Sequence, residues 1–195
     1  MSIPNLDDNP NSAEARAARG GMYRLLGQLW REELTQTTHA QLLVVAKEFE
    51  SAGGQLPQHT GETLDQLSVD YCQLFIGPRG HLPPYQSVWQ TGAFCGDALV
   101  SARKFADLVG LERNPGGILE DHLGVQLEVM SRILTLGDSG DEEQQAAAVE
   151  IEREFFATHL TWPEPLLDAV AKQAATSFYQ SLAAMTKSFL QMELD

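Results

Sequence analysis

Apolar residues recur at helical spacing through almost the whole chain, and no stretch alternates convincingly with a two-residue period. That restricts the fold to packed helices. A first helix is expected from about Ser12 to Glu33, with Met22, Leu25, Leu26, Leu29 and Trp30 on one stripe and Gly20-Gly21 weakening its middle. A second is expected from Thr38, where Thr38 and Gln41 have capping-box spacing; it carries Leu42, Val45, Ala46 and Phe49 inward and stops at Gly53-Gly54. Thr63 and Gln66 repeat that spacing before Leu64, Leu67, Tyr71, Leu74 and Phe75, with Gly77-Pro78 as the stop. A fourth helix is expected from Gly96 to Gly110, followed by a loop at Asn114–Gly117. A fifth runs from Leu119 to Gly137 with Leu119, Leu123, Leu127, Met130 and Leu134 inward. After a turn at Asp138–Asp141, a sixth helix runs to Leu160. A last one starts at Trp162-Pro163-Glu164-Pro165 and shows Leu167, Val170, Ala174, Phe178, Leu182, Met185 and Phe189 inward. The expected fold is all-α: a multi-helix bundle of more than four helices in one domain over 1–195, with 1–11 disordered.

At 195 residues and 43% hydrophobic content, the chain can fill one good core. The formal net charge of -14 repels phosphate backbones and anionic membrane surfaces, and it attracts cationic peptides. Nucleic acid is therefore an unfavourable partner. Cys72 and Cys95 form neither a CxxC pair nor a zinc-type set, so free thiols are expected. The first eleven residues carry Asp7 and Asp8 and no apolar signal core, and no run reaches the roughly 20 apolar residues that cross a bilayer. A cytoplasmic location without membrane insertion is the expectation.

Enzyme signatures are missing: GxGxxG, GxxxxGK[ST], GxSxG, HExxH and ExxH do not occur. No metal site and no cofactor are expected. The histidines, at 39, 59, 81, 122 and 159, do not pair at i, i+4. Glu120-Asp121-His122 is the most chemical-looking cluster. As part of a helix starting near Leu119 it has two main readings. One is acids solvated at a helix start, where they complement the dipole. The other is a ligand contact, because Asp121 would point away from Leu123 and Leu127. On that geometry Asp121 is poorly placed to orient His122 as a catalytic pair.

The segment from Tyr71 to Trp89 is irregular yet apolar. Pro83 and Pro84 hold the backbone extended, while Leu82, Tyr85, Val88 and Trp89 avoid water. It reads equally as a cap on the core and as the stiff wall of a binding groove.

Tyr71-Cys72-Gln73-Leu74-Phe75-Ile76-Gly77-Pro78 followed by Leu82-Pro83-Pro84-Tyr85-Gln86-Ser87-Val88-Trp89 resembles the YxxLFxGP…PPYxSV(Y/W) signature of the TorD/DmsD family, the maturation chaperones of bacterial molybdoenzymes. Glu120-Asp121-His122-Leu123 resembles that family's E-P-D-H-[IL] motif, with Leu119-Glu120 in place of Glu-Pro. Phe155-Phe156-Ala157-Thr158-His159-Leu160-Thr161-Trp162 resembles its FFxxHLxxW-type motif, with a shorter spacing before Trp162. The resemblance implies a non-enzymatic helical chaperone. Its partners would be the twin-arginine leader peptide and the precursor of a molybdoenzyme catalytic subunit, held back from export until the cofactor is loaded. It implies peptide-binding roles for Tyr71, Leu74, Phe75, Pro83, Pro84, Tyr85, Trp89, Glu120, Asp121 and His122. A different cytosolic client, such as a metal-dependent hydrolase, or weak GTP binding are the alternatives. Monomer and segment-swapped dimer both remain open. Together the motifs favour the groove reading, with the loop supplying an apolar half and Glu120 and Asp121 a charged half.

Overall fold

The computed structural model describes residues 13–38, 42, 61–112, 117–136 and 141–194. It places α1 at Ala13–Arg31, α2 at Leu64–Tyr71, a π-helical turn at Cys72–Ile76, and α3 at Gln86–Thr91. Then follow α4 (Asp97–Leu108), α5 (Leu123–Ile133), α6 (Glu142–His159), α7 (Glu164–Gln173) and α8 (Ser177–Met192). Among the described residues there is no strand, and the architecture is all-α. No helix among them is long and apolar enough to cross a membrane. Cys72 and Cys95 are exposed free thiols.

The bundle is organised around α5. Nearly every side of this helix is covered, since Leu123, Val125, Leu127, Val129, Met130 and Ile133 are all buried. α1 lies against it: Ser131 Oγ donates to the Gly20 carbonyl at 2.7 Å, and Gly27 and Gly124 let the two backbones meet. A Cβ on Gly27 would stand 2.8 Å from the Gly124 carbonyl oxygen, and one on Gly124 would stand 2.7 Å from the Gly27 oxygen. Nothing in the local sequence marks Gly27 or Gly124 for this crossing. α7 and α8 form a second packed pair, with Phe155 of α6 completing the core. Trp30 donates to Thr186 Oγ1 at 2.9 Å and so ties α1 to α8.

Several expected boundaries move for identifiable reasons. Residues 36–38 are helical, and Thr38 N donates to Thr35 Oγ1 at 3.2 Å, so Thr35 caps this turn, while Gln41, the other half of the expected Thr38 capping box, lies outside the described residues. The rest of that expected helix, apart from buried Leu42, lies outside the described residues, as do most of the Asn114–Gly117 loop and residues 137–140 of the later turn. The Thr63–Gln66 capping box forms as read. The expected final helix is two helices. Asp70 of α2 accepts from Ala175 N at 3.1 Å, Thr176 N at 2.8 Å and Thr176 Oγ1 at 2.6 Å, which caps α8 and breaks the run. The fifth helix starts at Leu123 instead of Leu119, and the Tyr71–Trp89 stretch turns helical at Gln86, because residues on either side of both boundaries bond to each other.

Candidate functional site

The two central motifs are joined through their backbones. Tyr85, held extended after Pro83-Pro84 (φ -118, ψ 127), forms an isolated antiparallel bridge with His122. Gln86 N donates to the Asp121 carbonyl at 2.9 Å, and Leu123 N donates to the Pro84 carbonyl at 2.8 Å. Leu82 N donates to the Leu74 carbonyl at 2.6 Å and Trp89 Nε1 to the Pro83 carbonyl at 2.8 Å, so the loop is fastened at both ends. This pairing is why 119–122 cannot be the first turn of a helix: its backbone is already committed to the proline loop.

Asp121 is consequently not on a solvated helix face. It is 0% exposed. Its Oδ2 accepts from Ser87 N at 3.1 Å and from Ser87 Oγ at 2.5 Å, which places the carboxylate at the start of α3, where the peptide dipoles favour an anion. Its Oδ1 is buried with no hydrogen-bond partner among the described residues. Burial, with Asp121 close by, raises the pKa of the Tyr85 phenol.

His122 caps α5. Its Nδ1 accepts from Gly124 N at 3.0 Å, so the ring proton sits on Nε2. Burial, helped by the nearby Arg31 charge, lowers its pKa to about 3, and the imidazole is neutral at physiological pH. Asp121 bonds to Ser87 and His122 to Gly124, and the neutral, capped imidazole is unsuited to a carboxylate–imidazole catalytic pair.

The remaining candidates divide by depth. Tyr71, Leu74 and Phe75 are 8%, 3% and 8% exposed and belong to the core. Phe75 packs edge-on to Trp30 at 5.7 Å and to Tyr179 at 6.0 Å, and Tyr71 donates to the Arg31 carbonyl at 3.3 Å. Pro84 is buried, while Pro83, Tyr85 and Trp89 are half-buried. Glu120 is almost covered, and its Oε2 pairs with Arg103 Nη2 at 3.1 Å. The pair Glu120–Asp121 is thus no open carboxylate site: one acid is matched by an arginine and the other is wholly enclosed.

What does reach the surface is an aromatic stack. His122 lies 4.9 Å from Tyr85, and Tyr85 lies 5.2 Å from Phe94, both edge-on. Phe94 is 53% exposed, a large apolar ring left in water. It falls between the quoted motifs, and its only sequence signal was an aromatic residue in a glycine-flanked loop.

Beneath the stack is a polar network whose connections the sequence did not reveal. Trp162 Nε1, which can only donate, points at Gln126 Oε1 (2.8 Å), so the Gln126 amide nitrogen faces Gln86 Oε1 at 2.6 Å. Gln86 Nε2 donates to the Thr158 carbonyl at 2.8 Å. Gln86 Oε1 can then only accept, and His159 Nδ1, 2.8 Å away, must carry the proton. His159 Nε2 is left to accept from Ser101 Oγ at 3.0 Å. This Ser–His contact resembles a nucleophile and base, but the orienting partner is a neutral amide. Burial also lowers His159 to a pKa of about 4, which makes it a weak base at neutral pH. The network joins α3, α4, α5, α6 and the turn into α7. His159 and Trp162 were visible in the late motif; nothing local marks Gln126.

The family model described as nitrate reductase delta subunit matches residues 28–167, a stretch that contains the proline loop, the Asp121-His122 pair and the His159–Trp162 segment. The chain belongs to this family. Within the nitrate reductase delta subunit family, its motifs are those of the TorD/DmsD chaperones. A curated relative, chaperone protein YcdY of Escherichia coli (strain K12), is 30% identical over 132 residues, which make up 68% of this chain and 65% of that protein. The match therefore spans a little under two thirds of the relative's length. A solved structure from Archaeoglobus fulgidus, a candidate redox enzyme maturation protein, covers 92% of this chain and 94% of its own at 16% identity and a TM-score of 0.58. That likeness shows a shared fold.

Proposed function

We propose that this chain is a cytoplasmic maturation chaperone for a redox enzyme. It binds the twin-arginine leader of a molybdoenzyme catalytic-subunit precursor and delays export until the cofactor is in place. The observation that carries the reading is the Phe94–Tyr85–His122 stack, mounted on two motif segments that are bonded backbone to backbone. A half-exposed aromatic on a rigid support loses little entropy on docking and offers an apolar segment a large contact area. The net charge of -14 adds attraction for the cationic part of the leader. Tyr71, Leu74 and Phe75 contribute from below, by holding up the loop, and Asp121 by capping α3.

Titration calorimetry of the full chain with the synthetic leader of a neighbouring reductase tests this. Binding that weakens with added salt is expected. Phe94→Glu should lower the affinity about tenfold while leaving the unfolding midpoint unchanged, since the ring is half in water. Absence of binding at low salt, for every twin-arginine leader encoded nearby, overturns the reading.

A further inference from the structure

The outward face of α2 and of the π-helical turn after it carries no charge. Between Gln66 and Pro78 the only charged residue is Asp70, and it is buried with Leu67, Tyr71, Leu74 and Phe75. The exposed positions are Gln66, Val69, Cys72, Gln73, Ile76 and Pro78. Val69 and Ile76 are 57% and 65% exposed, large apolar side chains left in water. In a chain of net charge -14, such a face lets another protein surface approach without stripping water from a charge.

Charge returns at the two ends of the face, with opposite signs. Asp65 is exposed in the first turn of α2, and Arg79 is exposed just beyond Gly77-Pro78. Val69 and Ile76 are equally spaced about the Cys72–Gln73 peptide, and Asp65 and Arg79 nearly so. A face with this spacing is complementary to itself when turned end for end. Val69 of one copy then meets Ile76 of the other, and Asp65 of one meets Arg79 of the other, twice over. Parallel alignment would instead set acid on acid and base on base.

We propose that two copies of this chain pair through this face, antiparallel about a two-fold axis beside Cys72 and Gln73, without exchanging segments. Val69 and Ile76 supply the apolar contact, and the two Asp65–Arg79 pairs at the rims fix its direction. Two chains of charge -14 repel each other, and one helix face is smaller than the roughly 1,600 Å² of a standard stable interface. The pairing is therefore weak and reversible, with a Kd on the order of 100 µM. It does not depend on the leader-binding reading.

The test is sedimentation velocity of the full chain at physiological salt. Between about 10 and about 500 µM the unmodified protein should move from monomer towards dimer. Ile76→Lys, at an exposed position, should weaken the association at least about fivefold. Asp65→Arg alone and Arg79→Asp alone set like charges face to face and should each weaken it by a similar factor. An equal mixture of those two variants should restore dimers to near the unmodified level, because each copy then meets its opposite; damage to α2 would not produce that rescue. With the exposed Cys95 removed as Cys95→Ser, a short bismaleimide should join two chains through Cys72, and Ile76→Lys should suppress the product. A protein that stays monomeric across the range, a dimer that Ile76→Lys leaves intact, or a mixture that associates no better than its components would overturn the proposal.

Discussion

Replacing Gly27 by alanine tests the glycine crossing at the centre of the bundle. Two terms oppose each other. Alanine in a helix interior is favoured over glycine by up to about 1 kcal/mol. Against that, the new Cβ would lie 2.8 Å from the Gly124 carbonyl oxygen and 3.2 Å from Glu128 N, both backbone atoms that cannot rotate away. α1 and α5 must part by several tenths of an ångström along a contact that also includes the Ser131–Gly20 hydrogen bond, and overpacking of this kind costs about 1–3 kcal/mol or more. The net is a loss of about 1–2 kcal/mol, a fall in Tm of roughly 2–8 °C for a chain of this size. Gly21→Ala is the matched control: the same residue change in the same helix, with nothing within 4 Å of the new methyl group. It should gain up to about 1 kcal/mol. Thermal and urea unfolding of the two variants beside the unmodified protein give both numbers. A Gly27→Ala protein as stable as Gly21→Ala would refute the close crossing.

Two further outcomes follow from the site. Asp121→Ala strands the Ser87 N–H and hydroxyl in a buried position and should cost about 1–3 kcal/mol in urea unfolding, with Asp121→Asn costing less because one acceptor survives; an unchanged midpoint would deny the capping role. His122 and His159 have folded pKa values of about 3 and about 4, below the ordinary 6.5. The unfolded chain therefore takes up their protons first as pH falls, and the stability they contribute is complete above pH 6.5 and lost towards pH 4, by about 1.4 kcal/mol per pH unit for each ring. Urea midpoints that stay level from pH 6.5 to 4.5, or a slope that His159→Gln leaves unchanged, would contradict the burial of these rings.

The sequence exposed those parts of the fold that are written locally. Thr63 and Gln66 announce their capping box in four residues, and Leu167, Val170, Phe178, Leu182 and Phe189 do face inward. It failed where a distant residue supplies the decisive bond. The break between α7 and α8 is made by Asp70, a hundred residues upstream, and no glycine or proline marks it. The start of α5 is delayed because Leu123 N is taken by Pro84. The same delay moved Asp121 from an imagined outer face to the interior. Apolar periodicity identified Tyr71, Leu74 and Phe75 as one face but could not say whether that face met the core or a ligand. The side chains that meet it, Trp30 and Tyr179, come from the two ends of the chain.

The bridge between Tyr85 and His122 gives the site a mechanical character. A flexible loop that captures a peptide absorbs the pull itself, and its motion stops at its own ends. Here the two strands of the site are one piece, and its far end is the first turn of α5, seated at Gly124 against the α1 backbone. The Tyr85–His122 bridge and the close approach of Gly124 to Gly27 thus lie within a few residues of each other on one continuous piece of backbone. Were a peptide held at Tyr85, as proposed, α1 would be its anchor, some forty residues before the motif begins.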